Sequence, residues 1–486
     1  MLTFRRLFLA GGALLCAAVL AHCDSNTASN TDGGAADSGT SSDLLAAAPV
    51  LTMVSPSSAA NTGGTLVTLT GQNFQPGATV TFAGLAATNV MVVSSTQITC
   101  TVPAKAATCG AVPVQVSNPD GKMVARTDAF YFSSPMLSFA AVSSLPMATN
   151  PRQVIAADLN NDTKLDLISA NSGSANVTVR LGNGDGTFGA VGTVAIGAGT
   201  SPYAVAAADV NGDGKLDLIT ANNNSNNIAV RIGNGDGTFT TPTMALFSAG
   251  AGPYDLAIGD LNGDGKRDVV VVNNGSNNVS SLLGNGDGTF QAQMTTTLNG
   301  TQPTAIILAD FNNDQKLDFG TAEVNGNSVT VRLGNGSGGF GLGANVMGVN
   351  GPMDLVAADF NADSKLDLAI ANSTTGTVRL SLGSGDGTFV NAATPAVSTG
   401  ASNRSIAVGD FNSDGKPDLA VTNVATNNVS ILLSNGDAAF AAQQTFPLGT
   451  TPSHITVADL NKDGLPDLLA TDQGAGAVVV RLNQCQ

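Results

Sequence analysis

The stretch Asp209-Val210-Asn211-Gly212-Asp213-Gly214-Lys215-Leu216-Asp217 decides the fold. Its Asp-x-Asn-x-Asp-x-x-x-Asp pattern occurs seven times, starting at Asp158, Asp209, Asp260, Asp310, Asp359, Asp410 and Asp459. Successive starts are 49 to 51 residues apart. Self-similarity at this period indicates an array of similar structural units that pack against one another.

Each repeat contains four predicted strands. In the second repeat they are 204–208, 216–220, 228–232 and a strand that begins at Phe239 after a Gly-rich turn. Four strands make one propeller blade. The last repeat stops after its third strand, 478–482, whereas Phe139 precedes the first loop by 19 residues, like the turn Phe of other repeats. We therefore predict an all-β, seven-bladed β-propeller of four-stranded blades over 134–486, with the strand from Phe139 completing the last blade.

The repeated loops have the side chains of a calcium site. Asp and Asn oxygens at positions one, three, five and nine, with a backbone carbonyl at position seven, suit Ca²⁺ better than Mg²⁺. The alternative is that these residues form Asx-turns without a metal. The candidate ligands are Asp158, Asn160, Asp162, Asp166, Asp209, Asn211, Asp213, Asp217, Asp260, Asn262, Asp264, Asp268, Asp310, Asn312, Asp314, Asp318, Asp359, Asn361, Asp363, Asp367, Asp410, Asn412, Asp414, Asp418, Asp459, Asn461, Asp463 and Asp467.

Position six separates two groups of loops. A loop that wraps a cation needs a residue that tolerates positive φ, and Gly does so without strain. Up to seven Ca²⁺ are expected, with the strongest sites in the loops starting Asp209, Asp260, Asp410 and Asp459, which have Gly at position six. The loops starting Asp158, Asp310 and Asp359 lack it, and whether they bind metal stays open.

A second domain precedes the repeats, over 48–133. Short alternating segments such as 65–69, 79–82 and 90–93 are separated by Gly, Pro and Asn at the spacing of an Ig-like β-sandwich. With Val54-Ser55-Pro56-Ser57, Leu69-Thr70-Gly71-Gln72-Asn73-Phe74 and Ser117-Asn118-Pro119-Asp120-Gly121, this segment resembles the IPT/TIG family. The resemblance implies a spacer or interaction module.

The repeats, from about Phe139 to Leu482, resemble the FG-GAP and VCBS family of integrin α-chain propellers and bacterial surface proteins. That resemblance implies calcium on the lower face and partner binding on the upper face. Upper-face residues are expected just before each first strand and in the turn between the second and third strands, where 222–227 and 273–278 are rich in Asn. The candidate ligand-binding residues are Arg152, Tyr203, Tyr254, Arg404 and His454. Tyr and Arg are common in recognition sites, although these residues are also compatible with an ordinary surface.

The N-terminus predicts export. Arg5 and Arg6 precede an apolar run, 7–21, that is too short to span a bilayer and suits an export signal over 1–22. Both ordinary secretion and twin-arginine export fit. The segment 20–23 resembles a bacterial lipobox with Cys23 as the lipidated residue, and the polar stretch 23–47 reads as a flexible tether. We expect a secreted or envelope-anchored protein that contacts the membrane only through this lipid anchor.

Cysteine spacing and charge limit the remaining possibilities. Cys100 and Cys109 flank a short turn-rich segment and are predicted to form a disulfide, leaving the role of Cys485 open. A formal net charge of −16 disfavours nucleic acid as a partner.

The leading functional hypothesis is a monomeric, non-enzymatic calcium-binding adhesion module for an unidentified protein or glycan. The alternatives are a propeller-based carbohydrate-active lyase or hydrolase and a purely structural, lectin-like scaffold.

Overall fold

The computed structural model describes residues 47–105, 109–134, 136–197, 199–392 and 397–485, together with the backbone of Leu7–Phe8, which pairs in parallel with Ala357–Ala358. Apart from that short strand and residue 47, the predicted export signal, Cys23 and the tether lie outside these residues. The described parts contain strands and turns, and none of their segments is a helix long and apolar enough to cross a membrane.

Two compact units divide the chain. One holds the described residues within 11–106 and 111–132, and the other holds those within 1–10, 107–110 and 133–486. The first is a sandwich of two antiparallel sheets. In sheet order, one contains Val50–Ser55, Leu66–Gln72, Gln97–Thr101 and Thr88–Ser94, and the other contains Ser58–Ala60, Met123–Ser133, Gly110–Ser117, Thr79–Phe82 and Leu85–Ala86.

The repeats form seven antiparallel sheets in the described residues, numbered here by their first strands. Sheet 1 contains Pro151–Ala157, Asp166–Asn171, Asn176–Gly182 and Phe188–Ala195. Sheet 2 contains Pro202–Ala208, Asp217–Asn222, Asn227–Gly233, and Phe239–Thr240 with Leu246–Ser248. Sheet 3 contains Pro253–Gly259, Asp268–Asn273, Asn278–Leu282 and Met294–Thr297. Sheets 4 and 5 are Pro303–Ala309, Asp318–Glu323, Ser328–Arg332 and Asn345–Val346; then Pro352–Ala358, Asp367–Asn372, Thr377–Gly383, and Phe389–Asn391 with Val397–Ser398. Sheets 6 and 7 are Asn403–Gly409, Asp418–Asn423, Asn428–Leu432 and Gln444–Pro447; then Pro452–Ala458, Asp467–Asp472, Ala477–Arg481 and Ser143–Pro146.

Both ends of the chain build the last sheet. Ser143–Pro146 pairs with Ala477–Arg481, and Ser138–Phe139 pairs with Asn483–Gln484. The prediction that the segment beginning at Phe139 completes the last repeat is therefore confirmed. First strands of successive sheets contact each other around the whole series, and the first strand of sheet 7 contacts that of sheet 1, so the ring is closed.

The core consists of apolar layers between neighbouring sheets. The second strand of each sheet is fully buried, which explains apolar runs such as Val269 to Val272. The Phe that follows each Gly-rich turn packs into the layer shared with the preceding sheet: Phe239 lies between sheets 1 and 2, and Phe139 lies between sheets 6 and 7. The recurring Phe therefore joins one repeat to the previous one.

The predicted Cys100–Cys109 disulfide is wrong. Cys109 is bonded to Cys485, with Cα atoms 5.7 Å apart and a sequence separation of 376 residues. Cys100 is a free thiol that points into the core of the sandwich, where burial raises its pKa to about 12. Because successive strand residues face opposite sides of a sheet, this inward register keeps Cys100 away from a partner outside the core.

Candidate functional sites: the Asp loops and the axial mouth

The Asp loops connect the first and second strands of each sheet, and their side chains shape the loop backbone. In the loop starting at Asp260, Oδ1 of Asp260 accepts from Gly263 N at 2.7 Å and Oδ2 from Gly265 N at 2.8 Å. Oδ1 of Asn262 accepts from Asp264 N at 3.1 Å, and Oδ1 of Asp264 accepts from Lys266 N at 2.9 Å. These are the bonds of consecutive Asx-turns.

The Asp at position nine has a different role. Asp268 is fully buried, its Oδ2 accepts from Leu261 N at 2.8 Å, and its Oδ1 accepts from Gly284 N at 2.7 Å, beyond the third strand. All seven loops repeat this pair of bonds at position nine. One carboxylate therefore fixes both the start of the loop and the turn after the third strand.

Burial makes these carboxylates costly to ionise. Together with a smaller effect of the neighbouring carboxylates at positions one and five, it raises the pKa of Asp217, Asp318 and Asp367 to about 6 and that of Asp467 to about 7. A cation bound to the loop oxygens would offset both effects, because it favours the ionised form. The donor set, made only of carboxylate and amide oxygens, is chemically suited to Ca²⁺.

The described residues contain no group of three or more His, Cys, Asp or Glu side chains arranged to hold a metal ion. Position six does not separate the loops by backbone geometry: φ is 80° at Gly214, and it is 68° at Thr163, 66° at Gln315 and 66° at Ser364. The three loops without Gly thus wrap in the same left-handed conformation. Calcium binding by either group of loops stays a prediction.

The five predicted upper-face residues lie around one cavity, here called the axial mouth, at the starts of the first strands. Arg152, Tyr203, Tyr254, Arg404 and His454 all line it. Its volume is about 50 Å³, which leaves room for a few water-sized groups, since one water needs roughly 10–15 Å³. The remaining lining residues are Gln153, Asp255, Thr304, Met353, Asp354, Ser405 and Ser453, so every sheet contributes.

A β-bulge places these side chains. The pairing of the first and second strands shifts register at the start of the first strand in every sheet, for example between Pro151 and Gln153. A bulge leaves one residue out of the ladder and redirects its side chain. The residues at or within this shift are Arg152, Tyr203, Tyr254, Thr304, Met353, Arg404 and Ser453, and all seven line the axial mouth.

In several first strands, the residue that follows the bulged residue links neighbouring sheets. In five places a side chain of one sheet accepts a hydrogen bond from a backbone N–H of the following sheet. One of these bonds joins sheet 7 to sheet 1. The bonds are Val205 N to Gln153 Oε1 (2.6 Å), Ile306 N to Asp255 Oδ2 (3.2 Å), Ile406 N to Asp354 Oδ2 (3.1 Å), Ile455 N to Ser405 Oγ (3.3 Å) and Val154 N to His454 Nδ1 (3.5 Å). We call these bonds the axial belt.

Sequence reasoning missed Gln153, Asp255, Asp354 and Ser405. Each occupies the register that Ala204 holds in sheet 2, within strands that are otherwise mostly apolar. A polar residue repeatedly placed third in the first strand was the available signal. The Asn-rich turns near Asn222 and Asn273 do not line the mouth. Their Asn side chains bond to one another across the turn.

The fold and its two sites define a repeat propeller that serves as a binding or scaffold module. The FG-GAP-like repeat model matches residues 158–220, 209–271, 260–321, 359–421 and 410–470, and the IPT/TIG domain model matches 49–132. The chain therefore belongs to the FG-GAP-like repeat family, with an IPT/TIG domain before the repeats.

A solved structure of low sequence identity shares the fold. BBS1N, crystallised in complex with ARL6DN, has a TM-score of 0.50 at 12% identity, over 71% of this chain and 96% of its own. Virginiamycin B lyase from Staphylococcus aureus has a TM-score of 0.48 at 14% identity, over 71% of this chain and 99% of its own. At such identities the likeness concerns the fold, and the lyase activity is a property of that protein. No curated protein sequence matches this chain.

Proposed function

We propose that this protein is an extracytoplasmic binding module that recognises a protein or glycan ligand at the axial mouth. The observation that supports this most is the convergence of seven bulged side chains, one from each sheet, on a single cavity. Two of them are Arg and two are Tyr, which dominate binding energy in recognition sites. The small cavity favours a ligand that inserts one protruding group and contacts the rim with the rest.

The hydrogen bonds of the two carboxylates that line the axial mouth favour binding over catalysis. Asp255 accepts from Gln153 Nε2 at 3.2 Å and from Ile306 N, and Asp354 accepts from Ser405 Oγ at 2.8 Å and from Leu355 N at 2.9 Å. These buried groups hold neighbouring sheets together. Their arrangement supports a rigid rim on which a ligand can be positioned.

Calcium has a structural role in this proposal. The Asp and Asn oxygens at positions one, three, five and nine of each loop would hold it, and the ion would stabilise the folded state by mass action. The Cys109–Cys485 disulfide supports an oxidising compartment outside the cytoplasm, because disulfides of this kind persist there. It agrees with the export signal and lipid anchor expected from the sequence.

The test is a binding screen with a mouth variant. The mature chain is applied to arrays of glycans and of surface proteins, and each ligand is then measured with Tyr254→Ser and with Tyr131→Ser. Tyr131 is a matched control, because it lies in the other compact unit. Loss of binding of about tenfold or more is expected only for Tyr254→Ser. Equal binding by both variants, or turnover of a bound glycan, would refute the proposal.

A further inference from the structure

The rim of the axial mouth has two chemically different arcs. In ring order, sheets 6, 7 and 1 contribute Arg404, Ser453 and Arg152, and sheets 2 to 5 contribute three large side chains and one hydroxyl: Tyr203, Tyr254, Thr304 and Met353. One arc therefore carries two guanidinium groups, and the other presents aromatic and thioether surface. A ligand that fits both arcs needs an anionic group beside an apolar one.

Arg404 has unused hydrogen-bonding capacity. It is half-buried at the cavity, and among the residues that the structure describes its guanidinium has no hydrogen bond and no ion pair. An Arg side chain is always charged and carries five N–H donors in a planar fork. That fork matches the two oxygens of a carboxylate, which it binds through two parallel hydrogen bonds.

Arg152, two sheets further around the ring, is held in place by its neighbours. Its guanidinium carbon lies 4.3 Å from the centre of the Tyr203 ring, Nη2 donates to Tyr203 Oη at 3.1 Å, and Nε donates to Ser172 Oγ at 3.4 Å. These contacts leave other N–H donors of Arg152 available to a ligand. Because the side chain is already ordered, a ligand that uses those donors loses little further conformational entropy.

The two acids of the lining come from sheets 3 and 5, and both are more buried than the guanidinium groups. Asp255 is 5% exposed and Asp354 is 3% exposed, and both accept N–H or O–H donors of the axial belt. Arg152 and Arg404 are more exposed than either acid. A ligand that arrives from solvent therefore meets the guanidinium groups first.

We propose that the axial mouth binds a carboxylate of a protein segment that carries an apolar side chain next to it. The inference rests on the proposed function of the mouth. A cavity of about 50 Å³ has room for a carboxylate. Tyr, Met and Arg are enriched in protein interfaces. Arg152 covers one face of Tyr203, which reduces the aromatic surface on which a sugar could stack.

The intrinsic fluorescence of the protein offers a direct assay. The chain has no Trp and three Tyr, two of which line the mouth. The probes are the N-acetylated, C-amidated tripeptide Ala-Phe-Glu and its counterpart Ala-Phe-Gln, which differ only in the carboxylate. We expect saturable binding of the Glu peptide to the full mature chain, and binding of the Gln peptide weaker by about tenfold or more, since hydrogen bonds to charged groups contribute that much.

A matched pair of variants completes the experiment. Arg404→Gln should bind both peptides equally weakly. Arg267→Leu removes the same charge at an Asp loop, where Leu216 occupies the equivalent position in the second repeat, and should bind like the unmodified protein. Thermal melting of each variant verifies folding, and the comparison of the two peptides on the unmodified chain needs no variant.

Equal affinity for the Glu and Gln peptides overturns the carboxylate inference. Binding of trigalacturonate with no binding of either peptide also overturns it, in favour of an acidic glycan. In both cases the proposed binding function survives if Tyr254→Ser still abolishes recognition of a screened ligand. If neither Tyr254→Ser nor Arg404→Gln affects any ligand, both proposals fail.

Discussion

Replacing Asp217 by Asn is expected to destabilise the propeller by about 1–3 kcal/mol, since one buried N–H loses its acceptor. Asp217 is fully buried, and its two oxygens accept from Val210 N at 3.0 Å and from Gly233 N at 2.8 Å. An Asn side chain has one oxygen, so its NH₂ would face the second N–H donor. Asp217→Ala removes both acceptors, and the loss should be about twice as large.

Urea unfolding of the mature chain, with chelator and with excess Ca²⁺, measures this loss. The control is Asp236→Asn, an exposed residue in the turn of the same repeat that accepts only local bonds from Thr238, and little change is expected. If Asp217 also binds Ca²⁺, the loss for Asp217→Asn is larger with calcium than with chelator. Equal losses of stability with calcium and with chelator would mean that Asp217 acts only through the hydrogen bonds that it accepts from two backbone N–H groups. Unchanged stability under both conditions would refute the argument.

Three further predictions concern pH, the disulfide and calcium. Burial raises the pKa of Asp467 from 3.8 to about 7, so with chelator the protonated side chain contributes stability that is complete below about pH 4 and is lost as pH rises through about 7. Urea unfolding should therefore show a smaller loss of stability over this pH range for Asp467→Asn than for the unmodified protein, and identical pH profiles would contradict this. Cys485→Ser should lower stability by about 2–5 kcal/mol under non-reducing conditions, and peptide mapping should recover Cys109 linked to Cys485; recovery of a Cys100–Cys109 peptide would show the assigned pairing to be wrong. Elemental analysis should find four to seven calcium ions per chain (about one for each loop that binds), with a raised melting temperature; no bound calcium and no shift would reduce the loops to Asx-turns.

The repeat carried most of the fold information. A constant period, four strands for each repeat and the Phe that precedes each Asp loop predicted the sheets and the use of Phe139 in the last one, because these patterns are local and recur seven times. The IPT/TIG domain was recognisable for a similar reason, since its strand spacing and turn residues are local signals. The five rim residues were found because they stand near the strand starts: four are second in their first strands, and His454 is third.

Contacts between distant residues required the tertiary structure. Cys109 lies nine residues from Cys100 and 376 from Cys485, yet it bonds to Cys485, because the inward register of Cys100 and the path of the chain end decide which thiols meet. The belt residues Gln153 and Asp255 also escaped prediction, since their acceptor atoms serve backbone donors of the neighbouring sheet.

The sequence alone determined the number and spacing of the repeats, the all-β class and the chemical character of the Asp loops. Only the tertiary structure decided that Asp217 and its equivalents hold two backbone N–H groups, and that seven bulged residues share one mouth. The physical reason is that strand propensity and turn chemistry act over a few residues, whereas hydrogen-bond partners and cavity walls depend on closure of the whole ring.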